Sequence, residues 1–163
     1  MKPIEKTNAL RALDKAGVSY RLHTYESDGV ALDAMEVSKR IDQPIVQVFK
    51  TLVTVGASKK NYVLVINGAD ELDLKKAAIV LGEKNIELIP MSTLLSLTGY
   101  VRGGCSPVGM KKAFITVFDQ KVLALESIIV SAGKIGLQME LRPQDLIVLI
   151  NANIADLVKI SQA

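Results

Sequence analysis

Apolar residues recur along the chain at spacings that predict both helices and strands. Ala9, Leu10, Leu13 and Ala16 have helical spacing and Gly17 follows them, which predicts an opening helix that ends at this glycine. Weaker helical patterns, bounded in part by capping residues, glycine or proline, predict further helices over residues 32–41, 72–81, 92–97 and from 143 onwards.

Short apolar or alternating segments predict the strands. They lie at residues 20–25, 45–55, 62–66, 86–89, 114–118, 123–125, 128–131 and 137–141. Residues 45–55 are apolar on both faces, which is typical of a central strand, and the connection 56–61 predicts a hairpin. Because strands outnumber helices without regular βαβ alternation, we predict one mixed α/β (α+β) domain over residues 1–163. In this domain a mixed, largely antiparallel and barrel-like sheet is surrounded by helices.

Composition narrows the class of protein. The chain has 163 residues, 49% of them hydrophobic, and its apolar runs, such as 146–150, are far shorter than the roughly 20 residues that cross a bilayer. The first residues show no secretory signal, and one cysteine with one histidine excludes an internal disulfide and the usual zinc sites. We therefore expect a cytoplasmic protein without a membrane segment, a metal or a cofactor, since no nucleotide-binding fingerprint occurs either.

The formal net charge of +3 is compatible with a polyanionic partner, but it does not require one. Lysines occur as pairs rather than as a dense tract, at 59–60, 75–76 and 111–112. Each pair taken singly is typical of a solvated surface. Only pairs that share one face would indicate a nucleic-acid partner.

Residues 99–109 form the most distinctive segment, with four glycines and one proline in an otherwise aliphatic chain. Glycine allows positive φ and close approach of the backbone to a ligand, and successive turns direct several N–H groups at one negative charge. The segment therefore predicts a site for an oxyanion or a phosphate, with a tight connection between two strands as the alternative. Cys105 within it is a candidate nucleophile only if a cation or a helix terminus activates its thiol.

Lys50 is the single charged residue in the apolar segment 46–53. Alternation places it on the same face as Val48 and Leu52. Because burying an ammonium group is costly and lowers its pKa, a lysine in a central strand points into a cavity or meets a charged partner. The alternatives are an edge-strand lysine that blocks aggregation and a side chain that reaches water.

Two polar rings, those of His23 and Tyr25, lie on one side of the strand predicted at 20–25. Together they are candidates for the lining of a pocket. For His23, the favoured alternative is a half-exposed strand position where the ring makes hydrogen bonds to its neighbours.

Five short motifs resemble, in the same order, those of the bacterial YbaK/EbsC family. They are His23-Thr24-Tyr25, Phe49-Lys50-Thr51-Leu52, Thr98-Gly99-Tyr100, the segment 103–109 followed by Lys111-Lys112, and Val130-Ser131-Ala132-Gly133-Lys134. The resemblance extends from about residue 10 to residue 149. The family consists of free-standing aminoacyl-tRNA deacylases that are similar to the editing domain of bacterial prolyl-tRNA synthetase. The resemblance thus implies a barrel-like mixed sheet, a deacylase activity and an aminoacyl-tRNA substrate.

The resemblance also implies roles for the residues at matching positions. Lys50 corresponds to the family's essential polar residue and the backbone of Gly103 and Gly104 faces the aminoacyl ester, so these are the expected catalytic groups. The expected substrate-binding residues are Tyr25, Thr51, Ser106, Pro107, Ser131, Gly133 and Asp145. Close members often carry a second basic residue where this chain has Ile135, and the expected tRNA contacts here are Lys111, Lys112 and Lys134.

The chemistry of editing defines the expected substrate. A prolyl-tRNA synthetase excludes cysteine or alanine poorly, because one or two missing heavy atoms change binding by only about 1–3 kcal/mol. The resemblance implies that a cysteinyl ester is cleaved by its own thiol, which releases a cyclic thioester and free tRNA. We therefore expect a trans-editing deacylase that removes cysteine from Cys-tRNA(Pro), with Cys-tRNA(Cys) as a further candidate substrate.

Other functions stay open at this point. They are a deacylase of Ala-tRNA(Pro) that uses water attack, a non-catalytic module that binds tRNA or a synthetase, and a hydrolase of small esters. The expected partner is the acceptor end of tRNA(Pro). Because the charge is too dispersed to promise tight RNA binding, a ternary complex with prolyl-tRNA synthetase is the expected source of specificity for the tRNA body.

Overall fold

The computed structural model describes residues 5–160. Within them the helices are α1 (Asn8–Ala16), α2 (Ala34–Arg40), α3 (Leu74–Leu81), α4 (Met91–Thr98) and α5 (Pro143–Leu149). The strands are β1 (Arg21–Thr24), β2 (Phe49–Gly56), β3 (Asn61–Asn67), β4 (Ile86–Leu88), β5 (Ile115–Asp119), β6 (Ile128–Lys134), β7 (Leu137–Leu141) and β8 (Asn153–Ala155). Residues 1–4, on which the expectation of a missing secretory signal partly rests, lie outside this range.

Capping residues explain where the helices begin and end. The Thr7 hydroxyl accepts a hydrogen bond from the Leu10 N–H at the start of α1, and Gly17 ends the helix with φ +71°. Asp73 caps α3 in the same way, and Gly82 ends it with φ +68°. The predicted helix ends at Gly17 and Gly82 are therefore confirmed. In the described part of the chain, no helix has both the length and the apolar character needed to cross a bilayer.

The strands form two sheets. The smaller has the order β1-β7-β6 and the larger the order β4-β2-β3-β5-β8. The β3–β5 and β5–β8 pairs are parallel, and the other pairs are antiparallel. An isolated parallel bridge between Val48 and Ile129 links the two sheets, which do not close into a barrel within residues 5–160. The prediction of a mixed, largely antiparallel sheet surrounded by helices is confirmed, whereas full closure does not occur.

Apolar side chains pack against the sheets in three clusters. The main core, which includes Leu10, Met139 and Leu146, forms where α1 and α5 meet the inner faces of both sheets. A second cluster lies under α3. A third lies under α2, around the bridge between Val48 and Ile129. This third cluster lies where the bridge joins the two sheets.

The predicted strand at residues 45–55 is wrong in its first part. Residues Ile45–Gln47 form a 3-10 helix, and β2 begins at Phe49. Pro44 precedes this 3-10 helix, and the side-chain amide of Asn67 donates hydrogen bonds to the carbonyl oxygens of Ile45 and Val46. A polar contact from a distant part of the chain thus overrides a local apolar pattern.

Two further elements differ from prediction near Asp119. Residues Gln120–Ala124 form a 3-10 helix, and the predicted strand at 123–125 is therefore wrong. The Asp119 carboxylate accepts hydrogen bonds from the N–H groups of Lys121 and Leu157, at 3.1 and 2.9 Å. The first of these caps the 3-10 helix, and the second holds the chain just after β8, a strand that the sequence did not predict.

Candidate active site

Predicted site segments meet at the turn between β6 and β7. A Cβ atom built on Gly104 would lie 3.0 Å from the backbone nitrogen of Ile135 and 3.2 Å from the Cα of Lys134, so the glycine-rich loop rests directly on this turn. On the same turn, the Gly136 carbonyl oxygen accepts a hydrogen bond from the Tyr25 N–H at 3.0 Å. The structure thereby brings together Tyr25, Gly104 and Lys134, which are far apart in sequence.

The glycine-rich loop begins with a tight turn. The Gly104 N–H donates to the Val101 carbonyl oxygen at 2.9 Å, and Gly103 has φ +82°, which suits the third position of a type II turn. The Gly104 N–H is therefore already used within the loop. The N–H groups of Gly103 and Cys105 donate to no acceptor among residues 5–160, and they are candidate donors to an oxyanion.

The residues after this turn are buried. Ser106 is completely buried, and Pro107 and Cys105 are buried beside it. Burial raises the pKa of the Cys105 thiol to about 12, so the thiol stays protonated at neutral pH. The Tyr100 hydroxyl donates to the Val108 carbonyl oxygen at 2.7 Å, and this hydrogen bond links the two ends of the loop. Burial of Cys105 therefore disfavours the thiolate that a nucleophilic role would need.

Lys50 lies in β2 and lines a cavity of about 820 Å³. Its Nζ atom lies 3.4 Å from the carbonyl oxygen of Gly68. Burial lowers the pKa of Lys50, and the nearby carboxylates of Asp70, Glu71 and Asp33 oppose this effect. The structure thus presents a partly desolvated ammonium group to an open cavity that is large enough for a small ligand.

A short segment, residues 29–34, connects the Lys50 cavity to the glycine-rich loop. At one end, a Cβ atom on Gly68 would lie 2.1 Å from the Cβ of Ala34. At the other end, a Cβ atom on Gly103 would lie 2.8 Å from the Cβ of Ala31. Glycine at both positions allows this segment to approach closely, so that Lys50 and Gly103 lie near its two ends.

Ser131 and Gly133 lie just beyond the bridge that joins the sheets. Val48 and Ile129 form a parallel bridge. Lys50 lies two residues after Val48, and Ser131 lies two residues after Ile129. Alternation therefore places both side chains on the same face as those of the bridged residues. The Ser131 hydroxyl accepts a hydrogen bond from the Gly133 N–H at 3.2 Å. A Cβ atom on Gly133 would lie 2.9 Å from an aromatic ring carbon, so this glycine is required for packing.

Two hydroxyl groups of the predicted site have no partner. The Tyr25 hydroxyl and the Thr51 hydroxyl are buried, and neither makes a hydrogen bond to any residue that the structure describes. The Tyr25 ring packs against the cluster that contains Val48 and Ile129, and Thr51 follows Lys50 in β2. An unpaired buried hydroxyl costs free energy, so a role in the site is one explanation for each of these two groups.

The predicted tRNA-binding lysines flank the glycine-rich loop. Lys111 and Lys112 are exposed, and the stem of Lys111 lies against Gly99, where a Cβ atom would be 3.3 Å away. Lys134 is exposed on the turn that supports Gly104. Basic side chains therefore lie at two sides of the loop, as contacts to the phosphates of an RNA end would require.

Asp145 and His23 are the remaining polar residues that the sequence indicated. Asp145 is half-buried in the first turn of α5, and its carboxylate makes no hydrogen bond to another residue in the range 5–160. The His23 ring lies 2.8 Å from Glu140 Oε1, and the other Glu140 oxygen accepts a hydrogen bond from Ser127 at 2.7 Å. These hydrogen bonds, the one from Ser127 first, lower the pKa of Glu140. His23 thus lies in a strand, and its ring bonds to a neighbouring side chain. This is the position described above as the favoured alternative to a pocket lining.

Comparison with known proteins decides the family. The family described as the aminoacyl-tRNA editing domain matches residues 30–149. A protein of Enterococcus faecalis, whose name proposes a Cys-tRNA(Pro)/Cys-tRNA(Cys) deacylase, EbsC, is 41% identical over 156 residues, which is 96% of this chain and 95% of that protein. The chain belongs to the aminoacyl-tRNA editing family.

More distant similarities are to part of a longer ligase and to a solved structure. The proline–tRNA ligase of Nitrosomonas eutropha is 27% identical over 123 residues, which cover 76% of this chain but only 20% of the ligase. A crystal structure whose title proposes a trans-editing enzyme for prolyl-tRNA synthetase superposes with a TM-score of 0.83 at 24% identity, over 96% of this chain and 100% of the other. This last likeness concerns the fold alone.

Part of the cavity in this editing domain was not predicted from the sequence. Opposite Lys50, its wall consists of residues 68–75, which include Asp70 and Glu71. The acidic residues directly after β3 were the available signal, because a buried lysine needs opposite charge nearby. Among residues 5–160, no cluster of three or more side chains could hold a metal ion.

Proposed function

We propose that this protein removes cysteine from Cys-tRNA(Pro) as a trans-editing deacylase in the cytoplasm. Membership of the aminoacyl-tRNA editing family supports the reaction class. The Enterococcus relative, whose name proposes this deacylase, supports the choice of cysteine. The observation that carries the proposal is the position of Lys50, a partly buried cation in a cavity of about 820 Å³.

The ester is held from two sides in this proposal. The Lys50 ammonium group orients the aminoacyl group or the terminal ribose, both of which offer oxygen acceptors to a cation. The unpaired N–H groups of the glycine-rich loop, such as those of Gly103 and Cys105, donate to the carbonyl oxygen as it becomes negative. The unpaired hydroxyls of Tyr25 and Thr51 make further hydrogen bonds to the substrate.

Cleavage then needs no nucleophile from the protein. The cysteine sulfur of the substrate attacks its own carbonyl carbon, a C–S bond forms, and the C–O ester bond to the ribose breaks. The thiol proton ends on the departing ribose oxygen, so the products are a cyclic thioester and tRNA with a free hydroxyl. The buried state of Cys105, with a thiol pKa of about 12, supports this proposal over covalent catalysis by the protein.

Binding of the tRNA uses the basic residues around the loop. Lys111, Lys112 and Lys134 contact the phosphates of the acceptor end, and the exposed Arg102 at the turn adds a fourth cation. A net charge of +3 is small for tight RNA binding. We therefore propose that prolyl-tRNA synthetase joins the complex and supplies the contacts to the tRNA body.

Serine in place of cysteine provides a test of the proposed chemistry. Release of amino acid is measured from Cys-tRNA(Pro), Ser-tRNA(Pro), Ala-tRNA(Pro) and Pro-tRNA(Pro). Because only the cysteinyl ester carries the attacking thiol, we expect rapid release of cysteine and little release of the other three. Comparable release of serine would contradict the requirement for a thiol, and comparable release of alanine would show attack by water. No release from any ester would indicate a binding module without catalytic activity.

A further inference from the structure

The side-chain amide of Asn67 binds three carbonyl groups at once. Asn67 ends β3 and is only 6% exposed. Its Nδ2 atom lies 2.8 Å from the carbonyl oxygen of Ile45, 3.0 Å from that of Val46 and 3.2 Å from that of Val48. Two hydrogens are thus shared among three acceptors. The amide oxygen is used as well, because it accepts a hydrogen bond from the Ala69 N–H at 3.0 Å.

These contacts determine where both ends of the Lys50 side chain lie. The three carbonyls belong to the segment that immediately precedes β2, and Lys50 follows Val48 by two residues. On the other side, the Gly68 N–H donates to the Val48 carbonyl oxygen at 2.8 Å, and the Gly68 carbonyl oxygen lies 3.4 Å from Lys50 Nζ. One amide therefore holds the backbone that carries Lys50 and the turn that provides its acceptor.

We propose that Asn67 is a positioning residue for Lys50. It contacts no substrate in this account, and it acts by holding the turn at residues 67–69 against the start of β2. The inference rests on the proposed function only in so far as Lys50 takes part in deacylation. The location of Lys50 relative to Gly68 follows from the contacts themselves.

The charged surroundings of Lys50 make its position measurable. Three carboxylates, those of Asp33, Asp70 and Glu71, raise its pKa, while burial lowers it more strongly. The other charged residues that line the same cavity are Asp73, Lys75 and Lys159. If the turn loosens, water reaches the ammonium group, and its pKa moves towards that of an ordinary lysine.

The test compares Asn67→Ala with Asn61→Ala, a matched control at the opposite end of β3. The Asn61 amide also donates to a carbonyl of β2, that of Thr54 at 3.1 Å, but it lies away from Lys50. Two quantities are measured, the kcat and KM for Cys-tRNA(Pro) across pH, and the pH dependence of Lys50 acetylation by acetic anhydride, read by mass spectrometry. The labelling needs no substrate, so it remains informative even if the proposed function fails.

For Asn67→Ala we expect a fall in kcat of between about 10-fold and about 100-fold, with a smaller change in KM, because a misplaced catalytic group affects the reaction more than binding. We also expect the acetylation profile of Lys50 to shift to higher pH. Asn61→Ala should lose stability only. If Asn67→Ala fails to fold, Asn67→Ser, which keeps one donor, should show the same changes more weakly. Wild-type kcat and an unchanged acetylation profile in either folded variant would overturn the inference.

Discussion

Lys50 Nζ lies 3.4 Å from the carbonyl oxygen of Gly68, in a cavity whose opposite wall carries Asp70 and Glu71. The position combines two opposing influences on the ammonium group. Burial disfavours its charge and the carboxylates favour it, with burial the larger influence, so that the pKa of Lys50 is lowered. A cation held in this way costs stability and is available to a substrate.

The stability of Lys50→Met should exceed that of the wild type at neutral pH. At a pH below the lowered pKa of Lys50 in the folded protein, Lys50 is protonated in both the folded and the unfolded states. The cost of burying its charge then reduces the stability of the wild type in full. Between that pKa and 10.5, the unfolded chain binds more protons than the folded protein, so wild-type stability rises with pH. Urea unfolding from pH 7 upwards should therefore show the advantage of Lys50→Met shrinking. A constant difference across this range would contradict the lowered pKa.

Removing the two unpaired hydroxyls should reduce activity without reducing stability. In Tyr25→Phe and Thr51→Val no protein hydrogen bond is lost, since neither hydroxyl has a partner among the described residues. We expect unchanged or slightly higher unfolding free energies, and a fall in kcat/KM of about tenfold for each lost hydrogen bond to the substrate. Tyr62→Phe is the matched control, because the Tyr62 hydroxyl donates to Glu83. Tyr62→Phe should lose stability and keep activity. Wild-type activity in both Tyr25→Phe and Thr51→Val would show that these hydroxyls do not bind the substrate.

A methyl group at Gly103 should disturb the glycine-rich loop. The φ of +82° and the neighbouring Ala31 Cβ, 2.8 Å from the added atom, both oppose alanine there. Gly82→Ala is the control, since φ is +68° and nothing lies within 4 Å. Both variants should lose about 1–2 kcal/mol from the left-handed conformation. Only Gly103→Ala should lower kcat/KM, by roughly 100-fold, because the loop donors move. Equal activity in the two variants would argue against a catalytic role for this loop.

Replacing the only cysteine should leave the reaction intact. Cys105 is buried, and its thiol pKa of about 12 leaves almost no thiolate at neutral pH. We expect Cys105→Ala to lose about 1 kcal/mol of stability and to release cysteine from Cys-tRNA(Pro) at the wild-type rate. A folded Cys105→Ala protein without turnover would instead identify Cys105 as a nucleophile.

Much of the fold followed from local signals in the sequence. The strand at Leu137–Leu141 and the helix end at Gly82 coincide with prediction, because a glycine marks each boundary and the apolar spacing is regular. The 3-10 helix at Ile45–Gln47 depends on the distant Asn67 amide. Apolar spacing alone does not distinguish such a turn from the start of a strand, so tertiary contacts decided this element.

The candidate site was likewise predicted only in part from local sequence signals. An isolated charge in an apolar segment indicated Lys50, and the glycines at 103 and 104 indicated a loop with special backbone conformation. The hydrogen bond that uses the Gly104 N–H within the loop depends on the turn type. The acidic wall at Asp70 and Glu71 depends on how the turn after β3 folds back over β2. Neither could be read from residue spacing.

We expect Lys50 to be required for removal of cysteine from the tRNA. The most direct measurement is the single-turnover rate of cysteine release from Cys-tRNA(Pro) by the wild type, by Lys50→Met and by Lys60→Met, a control lysine on the exposed turn of the same hairpin. Circular dichroism confirms that each variant is folded. We predict rapid release by the wild type and by Lys60→Met, and a fall of at least about 100-fold in Lys50→Met. A folded Lys50→Met protein that releases cysteine as fast as the wild type would contradict the account.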